Sequence, residues 1–469
     1  MAAVHISPFS GVWYPAEAAE LDRLLEEQFE CSRRRTGPFL FPDALGFVVP
    51  HAGPEYSGVV AASVYRSLRQ QKPERIVLLA FPHRGGLRGA VVPEVRAIAT
   101  PLGSVAIEGF LSPQFRRVAE SAVCDHSFEI QLPFLQKAAP NARICPLYVG
   151  TMDDAERRAL AEALAKDWRP GTVFLASSDF THYGRNFGFV PFPADDRIED
   201  RLRELDFECA EAAGSLKADL FLQTLAETGS TVCGSAPISL MIEALHHLRP
   251  DDLFQATLDY QTSGELTGDF QHTVSYAALG YYGPPSFELN PDNRAALLTS
   301  AEQTLYRLRE TGRRDLVRPR GSAALEARCG VFVSLHRGKE LLGCMGHCPA
   351  RIPLVESVPD LALAAALEDP RFRSGDAVAG PFDVEISVLT PLRRILGASE
   401  FHVGRHGGLL RLHRKTGLLL PQVAPRHGWM SSDFLGALAE KSGLSPEACR
   451  DPQSRLYVFE AQVFSRERP

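Results

Sequence analysis

The sequence predicts an α/β protein in which an N-terminal domain with a mainly parallel central sheet flanked by helices precedes a smaller α+β domain. Three observations support this. The chain has 469 residues, more than one hydrophobic core usually organises. In its first part short apolar runs alternate with amphipathic segments. After a Pro-rich stretch, strand signals follow one another without a helix after each.

The first elements of the chain alternate between strand and helix. Helical periodicity covers Glu17–Cys31 and Gly58–Arg69, and apolar strand character covers Leu45–Val49 and Arg75–Leu79. The alternation continues with a strand at Ile144–Gly150, a helix at Asp153–Trp168, a strand at 172–179, helices at Asp195–Leu225 and Ile238–Leu248, and a strand at His272–Tyr282. Strands that are apolar on both faces and separated by amphipathic helices indicate a parallel sheet with helices on both sides.

The pattern changes after a Pro-rich stretch without periodicity. We therefore predict an N-terminal domain at 1–283, a linker at 284–293 and a C-terminal domain at 294–469. The elements expected in the last part are a helix at Arg294–Glu310, a hairpin turning at Arg337–Gly338, a helix at Leu354–Leu367 and a strand at Asp383–Leu392. Helices that do not follow every strand are typical of an α+β domain.

Composition predicts a cytoplasmic protein that binds neither nucleic acid nor a membrane. The net charge of -7 is mild for this length, which gives no reason to expect a polyanion partner. No apolar stretch approaches the ~20 residues of a bilayer span. The N-terminal sequence MAAVHISPFSGVW lacks the basic start and apolar core of a signal peptide. The nine cysteines include no CxxC pair, so we expect no disulfide framework.

Polar side chains capable of acid–base or metal chemistry follow several predicted strands or occupy turns, namely His51, His83, Asp179, His182 and Cys233. Loops at the carboxyl ends of parallel strands meet at one edge of a sheet, so these side chains are expected to converge. Two imidazoles with one carboxylate or thiolate can hold a transition metal and leave positions open for a ligand. The third ligand, Cys233 or Asp179, stays open at this stage.

Each of these residues also has a structural interpretation. A single loop histidine is usually hydrogen-bonded without a chemical role. Asp179 could cap a helix, and Cys233 could be a packed core thiol. His126 and Glu129, three residues apart, would share one face of a helix. They could orient a metal ligand, or they could form a solvated pair.

Four stretches, in order, give the chain a family resemblance: PHAGPEYSG, DHSFEIQLPFL, SSDFTHYG and VCGSAP. From about His5 to Tyr282 the chain resembles the Memo family. The resemblance implies a fold like that of the class III, non-haem-iron extradiol dioxygenases. It also implies a metal site at His51, His83 and Cys233. Asp179 and His182 would lie beside the metal.

The later part of the chain resembles a second family, AMMECR, through GVFVSLHRGKELLGCMG, EDPRF, EISVLTPL, and GLLLPQVAPRHGW with KSGL. In this order the two parts resemble the AmmeMemoRadiSam fusion proteins, with a protein-B-like part before a protein-A-like part. The resemblance implies a radical SAM protein as partner. That partner would be a separate chain, because no CxxxCxxC cluster motif occurs here.

The chain departs from these family patterns at several positions. Phe81-Pro82 precedes His83 where the Memo pattern has Gly-Pro-x, and Arg84 follows it directly. A guanidinium there would favour an anionic ligand or weaken metal binding by charge repulsion. Pro54-Glu55 stands where an aromatic residue is common. Leu342 replaces an arginine of the AMMECR pattern, so no anion contact is inferred there.

Two function classes follow from these residues. In the enzyme hypothesis a divalent transition metal, iron or copper with zinc as the alternative, activates dioxygen on a small anionic substrate. His182 and Asp179 would then be catalytic. Arg84, Tyr56 and His126 would contact the substrate. No nucleotide cofactor is expected.

In the alternative hypothesis the same cleft captures a peptide or phosphate group without turnover, as an adaptor. The C-terminal domain gives weaker hints. Cys344 lies near His347 and Cys348 in a spacing that fits no zinc motif, so packing is expected there. Arg405, in the turn VGRHGG, could present a cation to an acidic ligand.

Overall fold

The computed structural model describes residues 3–110, 112–249, 252–350 and 352–466. They group into two compact units. One contains the chain up to Gly37 and Phe41–Gly283, and the other contains Pro38–Leu40 and the chain from Pro284 onward. Within these described residues, every helix is too short or too polar to cross a membrane.

The strands of the first unit are β1 (Ala3–Ile6), β2 (Ala44–Val49), β3 (Arg75–Ala80), β4 (Ala90–Pro93), β5 (Val95–Thr100), β6 (Gly103–Ala106), β7 (Arg116–Val118), β8 (Arg143–Val149), β9 (Thr172–Ser177), β10 (His182–Gly184), β11 (Phe254–Thr262) and β12 (His272–Tyr282). Its helices are α1 (Ala18–Thr36), α2 (Pro54–Gln71), α3 (His126–Glu129), α4 (Gln131–Ala138), α5 (Asp154–Asp167), α6 (Ile198–Gly214), α7 (Ala218–Thr228), α8 (Ser235–Leu248) and α9 (Ser263–Thr267). The strands and helices predicted for this region are present, with ends that differ by a few residues.

The central sheet, as far as the structure describes it, has nine strands in the order β10-β12-β2-β9-β3-β8-β4-β7, with β11 paired to β12. Its middle strands β2, β9, β3 and β8 are all parallel. Strands β3 and β9 are buried along their whole length because helices cover both faces of the sheet. The sequences of these strands are accordingly apolar on both faces. The predicted α/β class with a mainly parallel central sheet is confirmed for this core.

Outside this parallel core the central sheet is mixed, since β4 and β7 pair in parallel whereas the other outer pairings are antiparallel. Strand β12 pairs antiparallel with β2, β10 and β11, and β4 pairs antiparallel with β8. The predicted strand at His272–Tyr282 is therefore present but runs against the parallel core. The reason is its connection, since only the short α9 segment separates β11 from β12, and a parallel crossover needs a longer one. Strands β1, β5 and β6 form a separate three-stranded sheet in the described chain.

The second unit is α+β, as predicted. Its helices are α10 (Pro291–Thr311), α11 (Leu354–Leu367), α12 (Val423–His427) and α13 (Ser431–Lys441), and its strands are β13 (Gly330–Arg337), β14 (Glu340–His347), β15 (Asp383–Leu389), β16 (Arg393–Ile395), β17 (Gly407–Leu412), β18 (Lys415–Leu419), β19 (Arg455–Phe459) and β20 (Ala461–Ser465). The described strands form two four-stranded antiparallel sheets, β14-β13-β15-β20 and β16-β19-β17-β18.

Helix α10 begins earlier than the sequence predicts. The Asn290 side chain accepts a hydrogen bond from the Asn293 backbone N–H at 2.9 Å, and Pro291 occupies the first helical turn. This is a complete N-terminal capping arrangement, since proline needs no N–H partner at that position. The Pro-rich sequence that interrupts the periodicity therefore contains the start of the helix, preceded by a 3₁₀ turn at Pro284–Phe287.

Candidate metal centre

Three predicted site residues lie at one edge of the central sheet. His51 follows β2, His83 follows β3 and Asp179 follows β9, and these three strands are neighbours and parallel. Their carboxyl ends therefore open at the same place. After His51 the chain turns directly into α2, which begins at Pro54 in the first helical turn, a position that favours proline.

Cys233 reaches the same edge from the loop before α8. A Cβ on the next residue, Gly234, would lie 2.4 Å from Cβ of Ser178 and 2.6 Å from the carbonyl oxygen of Ser177. Only glycine allows this approach, and the Gly234 N–H donates to Ser178 Oγ at 2.9 Å. The absent side chain at Gly234 thus lets the thiol lie against the end of β9.

The side chains of His51, His83 and Cys233 form one cluster. Each offers a ligand atom, and all three atoms lie within 4.8 Å of one another. Nε2 of His51 is 3.2 Å from Sγ of Cys233, and the His51 and His83 rings meet edge to face with centroids 5.2 Å apart. Two imidazoles and a sulfur at this spacing are suited to a transition metal.

The hydrogen bonds of Ser177 determine which nitrogen of His51 carries the proton. The Ser177 hydroxyl has the Ser127 carbonyl as its acceptor, and Ser177 Oγ accepts from the Gln131 side-chain amide at 2.9 Å. Nδ1 of His51, 3.0 Å from the same oxygen, must therefore be its second donor. The lone pair of the neutral ring is then on Nε2, the atom that faces Cys233.

Asp125 orients His83 in the same way. Its Oδ1 lies 2.9 Å from Nδ1 of His83, and since a carboxylate only accepts, Nδ1 carries a proton, which in the neutral ring leaves the lone pair on Nε2. Burial would raise the pKa of Asp125, but the hydrogen bond from His83, with help from His126 and the Ser127 N–H, lowers it to about 2. Asp125 is therefore a carboxylate at neutral pH, although sequence reasoning did not select it.

Asp179 supports the loop that carries His51. Its Oδ1 accepts the backbone N–H groups of His51 at 2.8 Å and Ala52 at 3.3 Å, and its own N–H points to Cys233 Sγ at 3.3 Å. Burial raises the pKa of Asp179 while these N–H groups act against the rise. It does not cap a helix, and the three-residue cluster contains Cys233 rather than Asp179.

His182 lines the pocket and is hydrogen-bonded through Nδ1. Its Nδ1 lies 2.9 Å from the Phe180 carbonyl oxygen and 3.2 Å from that of Thr231. Both partners only accept, so Nδ1 carries the proton and Nε2 of the neutral ring can accept one. This is the arrangement that a general base requires.

His51, His83, Asp179 and His182 line an open pocket of about 490 Å³, the size of small-molecule sites in proteins. The rest of its lining includes Glu55, small and aliphatic residues, and several aromatic rings. His126 stacks on His83 with centroids 4.1 Å apart, and Trp13 stacks on His126 at 4.4 Å. Tyr56 and Phe187 also line it. Trp13 was missed from the sequence, because nothing in MAAVHISPFSGVW marks it as more than a core aromatic residue.

Burial controls protonation in the cluster. It lowers the pKa of His51 to about 3 and that of His126 to about 4, so both rings are neutral at neutral pH. It also raises the pKa of the Cys233 thiol to about 12, with the Asp179 charge as a second cause. A thiolate at Cys233 therefore needs a cation beside it, and binding of that cation would release the thiol proton.

Other predicted residues lie elsewhere. The Arg84 guanidinium donates to the Ser121 carbonyl oxygen at 3.3 Å, is exposed, and does not line the pocket. Glu129 does not share a role with His126, since its Oε1 lies 3.0 Å from Nε2 of His5. In the second unit, Arg405 pairs with Glu460 at 2.7 Å.

Two further groups in the described residues have ligand atoms at metal-compatible spacing, His83 with Asp125 and His126, and His5 with Cys124 and Glu129. The first overlaps the orienting partners of the main cluster. In the second, Glu129 is fully buried and raises the pKa of His5, first through its hydrogen bond. That pair is accounted for as a buried ion pair.

The donor set fits a transition metal. Nδ1 of His51 is bound to Ser177 and Nδ1 of His83 is bound to Asp125, which leaves Nε2 of each neutral ring as the atom available to a metal. Metal-binding histidines typically donate their second nitrogen to such a partner. Nitrogen and sulfur donors suit iron, copper or zinc better than magnesium or calcium.

Comparison with known proteins yields matches to both parts of the chain. The family model described as Memo-like protein matches residues 7–280, and the AMMECR1 model matches residues 298–464. A MEMO1 family protein of Methanopyrus kandleri is 31% identical over 290 residues, covering 58% of this chain and 96% of that protein. The protein memo-1 homolog of Caenorhabditis elegans is 28% identical over 284 residues, covering 57% and 80%.

Two further matches cover a smaller share of the chain. Protein MK0488 of Methanopyrus kandleri is 36% identical over 183 residues, which is 37% of this chain and 88% of that protein. Among solved structures, the uncharacterized protein PH0010 from Pyrococcus horikoshii is 33% identical and covers 37% of this chain and 91% of its own, with a TM-score of 0.35.

Proposed function

Because this chain belongs to the Memo family and carries an AMMECR1 domain behind its Memo domain, we propose that it is a metal-dependent redox protein whose metal is held by His51, His83 and Cys233. The proposed metal is iron or copper, with zinc as the alternative. Its proposed reaction activates dioxygen on a small anionic substrate, in concert with a radical SAM partner protein.

One observation carries the proposal: the imidazoles of buried His51 and exposed His83 each have Nδ1 bound to a hydrogen-bond partner, and both offer a ligand atom within 4.8 Å of the Cys233 thiol. Packing alone does not explain why a histidine has both a thiol and a second imidazole at ligand distance. A divalent ion held by two neutral imidazoles and one thiolate would keep one positive charge, and this charge would attract an anionic substrate. The ion itself would supply redox or Lewis-acid chemistry.

The chain's own residues would position and deprotonate the substrate. Trp13 and Tyr56 offer aromatic surface at the pocket wall. His182, with its proton on Nδ1, offers Nε2 to accept a proton from a bound hydroxyl or enol group. Asp179 keeps the His51 loop in place through two backbone N–H groups. We assign it a positioning role rather than ligation.

The alternative, a phosphate- or peptide-binding module without turnover, uses the imidazoles of the cleft together with Arg84. That side chain bonds a neighbouring carbonyl group, and the described residues that line the pocket include no arginine or lysine. A phosphate site usually offers such cations. The lining therefore argues against a phosphate site without a metal, whereas in the metal hypothesis the bound ion would supply the positive charge for an anionic substrate.

The first experiment is elemental analysis of protein purified without a chelator or a histidine tag. Wild type is compared with the His51→Ala/His83→Ala double variant and, as control, with His272→Ala, an exposed histidine outside the pocket. We expect about one metal per chain in wild type and in the control, and almost none in the double variant. Low and equal metal contents in all three proteins would contradict the proposal.

The second experiment tests redox activity. Protein loaded with iron or copper is mixed with a catechol, a thiol or ascorbate, and oxygen uptake is recorded. His182→Gln should bind metal normally but consume oxygen more slowly with substrates that must lose a proton, by about 100-fold. Metal-loaded wild type without any oxygen uptake would leave a structural metal as the remaining interpretation.

A further inference from the structure

The second unit contains a larger cleft than the one at the metal centre. Its volume is about 1100 Å³, and its floor is one face of the sheet β14-β13-β15-β20. Pairing across the sheet aligns Cys344, Ser334, Glu385 and Ser465 in one row, and all four line the cleft. Helices α10 and α11 also contact this sheet. The helical residues that line the cleft, however, belong to α12 and α13.

Cys344 lies in this cleft beside charged side chains from two distant segments. Its backbone N–H donates to Asp369 Oδ2 at 2.8 Å, and Asp369 in turn holds Arg371 through two hydrogen bonds of 2.9 and 2.6 Å. Arg371 and Lys441 line the same cleft as Cys344. The hairpin, the 369–371 loop and the last residue of α13 thus bring a thiol and two cations together.

The position of Cys344 is set by its neighbour in the hairpin. A Cβ on Gly343 would lie 2.0 Å from the carbonyl oxygen of Ala365 in helix α11. The strand can approach the helix this closely only because Gly343 has no side chain. The opposite face of the strand is thereby pressed against α11, and Cys344 faces the cleft.

The arginines of the cleft are paired with carboxylates, whereas Lys441 is not. Arg371 pairs with Asp369, Arg426 with Glu385 and Arg466 with Glu302. In the described part of the chain, Lys441 makes no ion pair or hydrogen bond within the usual distances. Solvent reaches Lys441 in the cleft, yet partial burial by the walls lowers its pKa. An anion beside Lys441 would offset this desolvation.

Two more polar groups at the cleft have unsatisfied hydrogen-bonding capacity. Nε2 of His336 and Oε1 of Gln422 are buried atoms without a hydrogen-bond partner among the described residues, and both side chains line the cleft. Buried polar atoms are usually paired, and an unpaired one is costly. Burial lowers the pKa of His336, so its ring is neutral at neutral pH. A bound polar molecule would satisfy both atoms.

We propose that this cleft binds a small molecule carrying a carboxylate or phosphate group, with Lys441 as its cationic contact and the Cys344 thiol beside it. The site is independent of the proposed metal centre, since it uses residues of the second unit only. His336 and Gln422 provide a neutral donor or acceptor for the polar remainder of the ligand.

Alkylation of the thiol tests the proposal on the intact chain. Iodoacetate is anionic and iodoacetamide is neutral, and both form a carbon–sulfur bond while iodide leaves. The two rates are measured at Cys344 by peptide mass spectrometry, with exposed Cys31 as the internal reference. We expect the iodoacetate-to-iodoacetamide rate ratio at Cys344 to exceed that at Cys31 by about tenfold, because nearby cations concentrate the anion.

Two further comparisons make the test specific. Lys441→Gln should bring the ratio at Cys344 down to that at Cys31, whereas Lys166→Gln, an equal loss of charge in the first unit, should leave it unchanged. Inorganic phosphate and succinate are then added separately, and the one that slows alkylation at Cys344 but not at Cys31 identifies the preferred anionic group. Equal ratios at both cysteines in wild type, or no protection by either anion, would overturn the proposal.

Discussion

Nε2 of His51 lies 3.2 Å from Sγ of Cys233, although 182 residues separate them in the chain. The contact depends on two local features. Asp179 holds the His51 loop through backbone N–H groups, and Gly234 allows the Cys233 loop to meet the end of β9. A soft sulfur donor and an oriented imidazole at this distance favour transition metals over magnesium or calcium. The predictions that follow test this arrangement.

Replacement of Cys233 by serine should weaken the affinity for copper and zinc by more than about 100-fold. This loss would exceed the one usually caused by removing a residue that only orients a ligand and does not itself bind the metal. The matched control is Cys209→Ser, a buried cysteine of the core near the Ser230 and Thr228 hydroxyls. Competition titration with a chromophoric chelator measures both. Unchanged affinity in Cys233→Ser would assign the third position to Asp179.

Asp125→Asn tests the orientation of His83. The amide keeps an oxygen for the Ser127 N–H but removes the charge that fixes the proton on Nδ1 of His83. Metal affinity should fall by about 10- to 100-fold, with a small change in stability. Asp153→Asn, which alters a capping carboxylate at α5, should leave affinity as in wild type. Equal affinities for the two variants would show that Asp125 acts only as a cap.

Gly234→Ala tests the approach of the Cys233 loop. The added methyl would overlap Ser178, so the loop must move and carry the thiol away from His51. We expect loss of metal binding together with a destabilisation of about 1–3 kcal/mol from overpacking. Gly397→Ala is the control, because Gly397 has extended backbone and open space around its Cα. Full metal binding by Gly234→Ala would contradict this role.

His5 should stabilise the first unit in a pH-dependent manner. Its pKa is raised, chiefly by the hydrogen bond to Glu129. This contribution is complete below the unfolded value of about 6.5 and is lost as pH rises through the raised folded value. His5→Ala, which leaves the Glu129 carboxylate buried and unpaired, should cost about 3–5 kcal/mol at acidic pH.

Urea unfolding of wild type and His5→Ala at several pH values measures this contribution. The difference in unfolding free energy should be largest below about pH 6.5 and should shrink as the pH rises above that value. His272→Ala, which removes an exposed histidine paired with Asp269 at 3.8 Å, should show almost no difference at any of these pH values. A difference for His5→Ala that stays constant with pH would mean that packing, rather than the ion pair, accounts for its effect.

Much of the fold was predictable because the spacing of apolar residues along the chain indicates which positions are buried. The middle strands of the sheet read as apolar runs, and the turn after His51 contains Pro54 at the helix start. The antiparallel edge strands were harder to predict. Whether β12 runs with or against β2 depends on the short connection from β11, which the local sequence of β12 does not contain.

The site was predictable only in part, for a similar reason. His51, His83 and Cys233 have side chains that can bind a metal, and they follow predicted strands or lie in turns. Both features can be recognised in the sequence. Their partners are ordinary residues whose roles depend on distant contacts. The roles of Ser177 and Asp125 can be recognised only in the folded chain, where these residues contact the rings that they orient. Arg84 looked relevant because it is adjacent to His83 in sequence, yet its side chain points elsewhere.

The central claim is that His51, His83 and Cys233 bind one metal ion together. X-ray absorption spectroscopy of the protein loaded with one equivalent of zinc tests it most directly. We predict one sulfur at about 2.3 Å and two imidazole nitrogens at about 2.0–2.1 Å, with the sulfur absent from the spectrum of Cys233→Ser. A wild-type spectrum with oxygen and nitrogen neighbours only, unaltered in Cys233→Ser, would contradict the account.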